Sequence, residues 1–144
     1  MLATDLVAGH DQPPFPASAM DGYAVRRADV ADLPATLTIM GEAAAGRGFH
    51  KPVGAGEAVR IFTGAPVPEG ADAIVIQENT TRDDDRVTVT DGVPEAGHIR
   101  RRGFDFSRGD GLIKAGSVLG PRTLTLAAAM GHADVSVHRR PTIA

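Results

Sequence analysis

At 144 residues and 42% apolar composition the chain can bury the core of one ordinary domain or two small ones, although aromatics are only 4% and tryptophan is absent, so alanine and the aliphatics must fill it. The lack of cysteine excludes a disulfide framework and a thiolate metal site, and a net charge of −3 gives no general field for nucleic acid or an anionic membrane. Seventeen glycines and ten prolines argue against a helical bundle and for a turn-rich, mainly β (α+β) chain with a few short helices; no apolar run nears the ~20 residues that span a bilayer and no signal-peptide pattern opens the chain, so a soluble cytoplasmic protein is expected.

In chain order, Leu2–Ala8 (LATDLVA) places apolar residues at Leu2, Ala3, Leu6 and Val7, a helix-like spacing over too few turns to be stable alone. Pro13–Arg26 (PPFPASAMDGYAVR) is the stretch the rest is organised around. Its prolines stiffen an extended approach. Asp21-Gly22 then favours a tight turn, and Tyr23–Arg26 reads as a short strand. The segment presents one carboxylate at a sharp bend; the bland alternative is a plain β-turn between edge segments. Arg27–Leu33 predicts a single helical turn ended by Pro34, and Ala35–Met40 a strand with Thr36 and Thr38 on one face, Leu37 and Ile39 on the other. Glycine-rich Gly41–Gly56 is expected to be a loop, and it lacks the ordered pattern of a phosphate-binding one.

Ala58–Phe62 reads as a strand that exits tightly at Thr63-Gly64, and Ala73–Gln77 as a buried strand closing on Glu78. Thr63 offers a hydroxyl beside a glycine that permits close backbone approach. Asp72 is expected to steady the turn before its strand. Asn79–Asp91 predicts a hairpin turning at Asp83-Asp84-Asp85, whose adjacent carboxylates point in different directions and read as a solvated turn. In Gly97–Gly109 (GHIRRRGFDFSRG), a strand would put Arg100 and Arg102 on one face. An arginine pair beside Asp105 suits an oxyanion, and a charged edge strand is the alternative. Leu112–Leu119 predicts a strand and turn; Pro121–Met130 a helix with Pro in its first turn and Gly131 as its stop; Ala133–Arg139 a last strand. The five histidines show no ligand spacing.

Three stretches together carry a specific resemblance. PPF and SAMDGYAV with their lead-in LATDLVA, TGAP followed by PEGAD and a strand closing on glutamate, and IR with basic residues before Gly103-Phe104-Asp105 resemble the molybdopterin molybdenumtransferases, the bacterial MoeA and eukaryotic gephyrin family. The resemblance covers practically the whole chain. It implies the first two structural domains of such a protein: a first β-rich lobe from 1–17 and 107–144, interrupted by an inserted, barrel-like β-rich domain of 18–106, the whole elongated. A helix is expected before Met1. After residue 139 a strand is expected to cross into an α/β pterin domain that is not in the sequence.

The implied reaction is insertion of molybdate into a dithiolene pterin presented as its adenylate, with release of AMP and a Mg²⁺ requirement. It further implies a homodimer whose cleft lies between the middle domain of one subunit and the pterin domain of the other. A molybdopterin adenylyltransferase and molybdoenzymes are the implied partners, with no nucleic acid and no membrane. Asp21, Thr63 and Asp105 are carried over as catalytic, with Asp21 and Asp105 as metal ligands. Ser18, Met20, Gly64, Glu78, Arg100 and Arg102 are carried over as substrate-binding. Phe104 stands where the family has a glutamate, so that glutamate's role is not carried over. A gephyrin-like scaffold without catalysis of its own and a plain β-rich structural domain whose polar motifs only make turns are the competing classes, and this segment alone is expected to be inactive.

Overall fold

The computed structural model describes residues 1–92 and 97–139. The expectation for the final residues 140–144 lies outside the described residues. Ten strands are described: β1 (Leu6–Val7), β2 (Ala17–Ser18), β3 (Gly22–Val25), β4 (Ala35–Ala43), β5 (Glu57–Ile61), β6 (Ala73–Ile76), β7 (Thr80–Asp83), β8 (Arg86–Val89), β9 (Ile99–Arg100) and β10 (Gly111–Ile113). One α-helix, α1 (Pro121–Ala129), and two 3₁₀ turns, Arg27–Val30 and Gln77–Asn79, complete the elements. The chain is therefore mainly β, and it divides into two compact units. One is formed by Met1–Pro14 with Arg102–Ala144, the other by Phe15–Arg101; the sequence reading placed its boundaries at 17/18 and 106/107.

Within Phe15–Arg101 a six-stranded sheet runs in the order β6-β3-β5-β4-β8-β7. Its two edges are consecutive in sequence, joined only by Gln77–Asn79. Six flat strands would set those edges about 24 Å apart, whereas three residues and their flanking bonds reach about 14 Å. The sheet must curl, and it does so as a half-barrel. Period-2 alternation fills the concave side: Tyr23 and Val25, Leu37, Ala58, Ala73 and Val75, Val87 and Val89 form one apolar cluster. The residues between them on β3, β5 and β6 (Ala24, Val59, Ile61 and Ile74) pack on the opposite face with Val53 and Ala65. No aromatic other than Tyr23 lies among the buried residues of either cluster, as the composition required.

Gly41–Gly56 is not wholly a loop, because β4 continues through Ala43. The extension depends on a bulge. Ile39 pairs with Ala58 but Glu42 with Arg60, three residues on β4 against two on β5. One extra residue reverses which face each later side chain meets, so Ala43 joins the outer cluster while Leu37 belongs to the inner one. The hairpin β7–β8 turns at Asp84-Asp85, with Asp84 at φ 50°, a left-handed conformation that aspartate tolerates better than most residues. Asp72 is used differently from the expectation: its Oδ1 accepts the Arg27 N–H at 2.6 Å and so anchors the 3₁₀ turn after β3.

In the unit of Met1–Pro14 and Arg102–Ala144, the helix-like spacing of Leu2–Ala8 is overruled. Leu2 bridges to Val137 and β1 pairs antiparallel with β10. A helix of one or two turns cannot outweigh its nucleation cost, whereas the extended chain buries Leu2, Leu6 and Ala8 against Phe106, Ile113, Ala127 and Met130. The last strand expected over Ala133–Arg139 reduces to that single bridge at Val137. Helix α1 starts with Pro121 in its first turn. At its end Gly131, at φ 94°, donates to the Ala128 carbonyl and His132 to the Ala127 carbonyl, which satisfies two of the last-turn acceptors. Asp5 accepts from the Ala115 N–H and from Lys114; Asp11 accepts from the Arg108 N–H and from Arg102. Among the described residues no helix is long and apolar enough to cross a membrane.

Candidate functional site

The Asp21 bend sits at the entrance to β3, and its shape is set by one close approach. A Cβ on Gly22 would lie 1.9 Å from the Val75 carbonyl oxygen on β6, so only glycine allows the two strands to pair there. The glycine of the Asp-Gly dipeptide is thus needed for strand contact rather than for turn freedom. Ser18, almost fully buried, ties the approach: its hydroxyl donates to the Met20 carbonyl at 2.6 Å, and its carbonyl accepts the Gly64 N–H at 2.9 Å. The Ser18 N–H donates in turn to the Ala65 carbonyl. SAMDG and TGA are thereby locked side by side.

That locking delivers Thr63 to Asp21. One carboxylate oxygen, Oδ1, accepts the Thr63 N–H and the Thr63 hydroxyl, each at 2.8 Å. These two bonds, the backbone one first, hold the Asp21 carboxyl below its ordinary range; desolvation opposes them less strongly, and the positive charge of Arg60 makes the smallest contribution to the lowering. Asp21 is therefore an ionised, oriented carboxylate near neutral pH. Its second oxygen has no donor among the described residues.

Arg60, not singled out in the sequence, lies behind the bend. Its Nη1 donates to the Gly22 carbonyl at 2.9 Å and its Nη2 to Gln77 Oε1 at 2.7 Å. The guanidinium carbon lies 5.3 Å from the centre of the Tyr23 ring and 4.7 Å from that of Phe62. The Gln77 N–H donates to the Asp21 carbonyl at 3.1 Å. The available signal was a single charge inside the apolar strand AVRIF, two residues before the aromatic that it stacks on. Arg60 also lines an open cleft of about 460 Å³ with Ile39, Met40, Glu42, Arg82, Asp84 and Asp85, which includes neither Asp21 nor Thr63.

The remaining sequence-derived residues are distributed unequally. Met20 and Gly64 flank the Asp21–Thr63 pair in the chain; Met20 is exposed, and Gly64 stands at φ 82° with open space where a Cβ would point. Glu78 is exposed on the 3₁₀ turn, 3.5 Å from the Gln77 amide. The strand expected to align Arg100 with Arg102 ends at Arg100, so the two do not share a strand face. Arg102 falls in the other unit, where it pairs with Asp11 and where Phe106 packs in the core. Asp105 belongs to that unit too; it is exposed, and its N–H donates to the Gln12 carbonyl. Among the described residues no three His, Cys, Asp or Glu side chains gather as a metal cage.

Fold and bend together define a mainly β protein whose curled sheet carries a threonine-supported carboxylate at one end. The family model of the MoeA N-terminal region (domain I and II) matches residues 1–131, and the chain belongs to that family. A Haemophilus influenzae protein named molybdopterin molybdenumtransferase is 39% identical over 141 residues, which is 97% of this chain and 35% of the relative. A Synechococcus elongatus protein of the same name is 39% identical over 144 aligned residues, 95% of this chain and again 35% of the relative. The crystal structure of a molybdopterin biosynthesis moeA protein from Pyrococcus horikoshii OT3 has a TM-score of 0.85 at 34% identity, over 90% of this chain and 35% of that one. The chain spans about a third of the length of the relatives it matches.

Proposed function

We propose that this chain supplies the N-terminal third of a molybdopterin molybdenumtransferase, acting in molybdenum cofactor biosynthesis by helping to insert molybdate into adenylated molybdopterin. The observation that carries the reading is the Asp21–Thr63 pair, a charged oxygen held by two donors with its other oxygen left to a ligand. A fixed carboxylate can accept a proton from molybdate-bound water, and the nearby Thr63 hydroxyl can reorient to an arriving oxyanion. Met20, Gly64 and Glu78 are assigned to the substrate's surroundings, with Ser18 holding the bend beneath it. Asp105, Arg100 and Arg102 are assigned to the same reaction on the family resemblance.

The donor set fits Mg²⁺ only as a shared ion. Magnesium is commonly held by one or two carboxylates and completed by substrate oxygens and water. Asp21 Oδ2 would be one such ligand, and the ion would offset charge on the phosphate and oxyanion. Homodimerisation and a cytoplasmic location belong to the same reading.

The test joins this chain to the rest of a relative, in place of that relative's own N-terminal third, and measures molybdate insertion. Turnover within about tenfold of the parent supports the assignment. A folded but inert hybrid opposes it.

A further inference from the structure

We infer that Arg60 is a positioning residue for Asp21: it clamps the Asp21–Gly22 bend from behind and so fixes where the carboxylate points. The inference rests on the proposed role of Asp21, and deepens it by naming what holds that residue in place. Four hydrogen bonds at three points grip the bend, and Arg60 governs two of those points. It donates directly to the Gly22 carbonyl. It also holds the side chain of Gln77, whose N–H donates to the Asp21 carbonyl. The third grip is Thr63 on the carboxylate itself.

The guanidinium is unusually well placed for this work. Arg60 pairs with Tyr23 across β3–β5, and Phe62 follows just past the end of β5, so both rings lie close to the cation. Its planar fork then spans two acceptors, one main-chain and one side-chain, that lie on different strands or turns. A lysine ammonium reaches one of them and lacks the fixed angle between donors. One N–H of each Nη is engaged with the protein, and through those two bonds Arg60 acts on the bend.

Hydrogen exchange on the full chain tests the clamp. In Arg60→Met the Thr63 and Gln77 amides are expected to exchange at least tenfold faster than in the parent, with Val59 and Val75 unchanged within about threefold. Arg60→Lys should restore only part of the protection, since it can reach Gly22 but cannot also hold Gln77. Should Arg60→Met fail to fold, Gln77→Ala removes only the exposed second acceptor, and is expected to speed Thr63 exchange about threefold. Unchanged Thr63 protection in the folded variants overturns the inference.

In the transferase carrying this chain, Arg60→Met should lower kcat at least tenfold while KM stays within about twofold. Added to Asp21→Asn, it should cost less than about twofold more. A full, independent loss in the Asp21→Asn background would also overturn the inference, because Arg60 would then act elsewhere. Full activity of Asp21→Asn alone strikes at the proposed function, while leaving the exchange result to stand as evidence of the clamp.

Discussion

Gly22→Ala is the perturbation whose outcome follows most directly from the geometry. The new Cβ would lie 1.9 Å from the Val75 oxygen, 2.9 Å from its carbonyl carbon and 3.0 Å from Ile76 Cα. Ordinary contact begins near 3.4 Å, so β3 and β6 must part by about 1.5 Å at the Gly22–Ile76 pair. Every obstructing atom is backbone, so no side chain can turn aside. Overpacking costs about 1–3 kcal/mol and occasionally more; a clash confined to backbone belongs at the upper end, about 3 kcal/mol. At about 4–8 °C per kcal/mol for a domain of this size, the melting midpoint should fall by about 12–24 °C. Gly92→Ala is the control: nothing lies within 4 Å of its Cβ, so the midpoint should hold within about 3 °C. Circular-dichroism melts of the two variants against the parent decide the matter. A Gly22→Ala midpoint within about 4 °C of the parent would refute the claim that this glycine is there for strand contact.

In the transferase carrying this chain, Asp84→Asn should leave molybdate insertion within about twofold, since asparagine tolerates the same φ and an exposed turn charge contributes little; a larger loss with intact folding would expose an acidic site in the hairpin. Asp5 and Asp11 are both held below their ordinary range, first by the backbone donors of Ala115 and Arg108 and then by Lys114 and Arg102. Their contribution to stability is therefore complete above about pH 4 and is lost as pH falls through the depressed folded values. The parent's melting midpoint should drop more steeply than that of Asp5→Asn/Asp11→Asn between about pH 4.5 and 2.5, and parallel curves would contradict this. Offered adenylated molybdopterin in a calorimeter, the chain by itself should bind no tighter than roughly millimolar, about 4 kcal/mol, and should show no insertion, because on the proposed reading its polar groups supply only one wall of a site; micromolar binding would place the ligand site largely within these residues.

What was legible in the sequence tracks how local its cause was. Strands β3, β5, β6 and the β7–β8 hairpin followed from alternation and turn residues, and α1 from Pro121 and Gly131, because neighbours within a few residues decide them. The failures have long-range causes. Leu2–Ala8 carries a spacing that suits either state, and only pairing with Val137 and β10 selects the extended one. Ala43 sits beyond a bulge that no local pattern announces. Arg102 looked like a partner of Arg100 because it is two residues away, yet it falls in the other unit, where Phe106 packs in the core. At the site, the motifs located Asp21 and Thr63 separately. Their shared hydrogen bonds, and the role of Arg60, required the β3–β5 register to become visible.

The most direct measurement is molybdate insertion by the transferase carrying this chain, compared between the parent residue and Asp21→Asn. Asparagine keeps an Oδ1 that can accept both Thr63 bonds, so the bend survives while the charge is removed. Turnover should fall at least tenfold, the loss typical of a single catalytic carboxylate, with the melting midpoint within about 3 °C of the parent. Near-parental turnover in the folded variant would contradict the account, and Asp21 would then be only the corner of a turn.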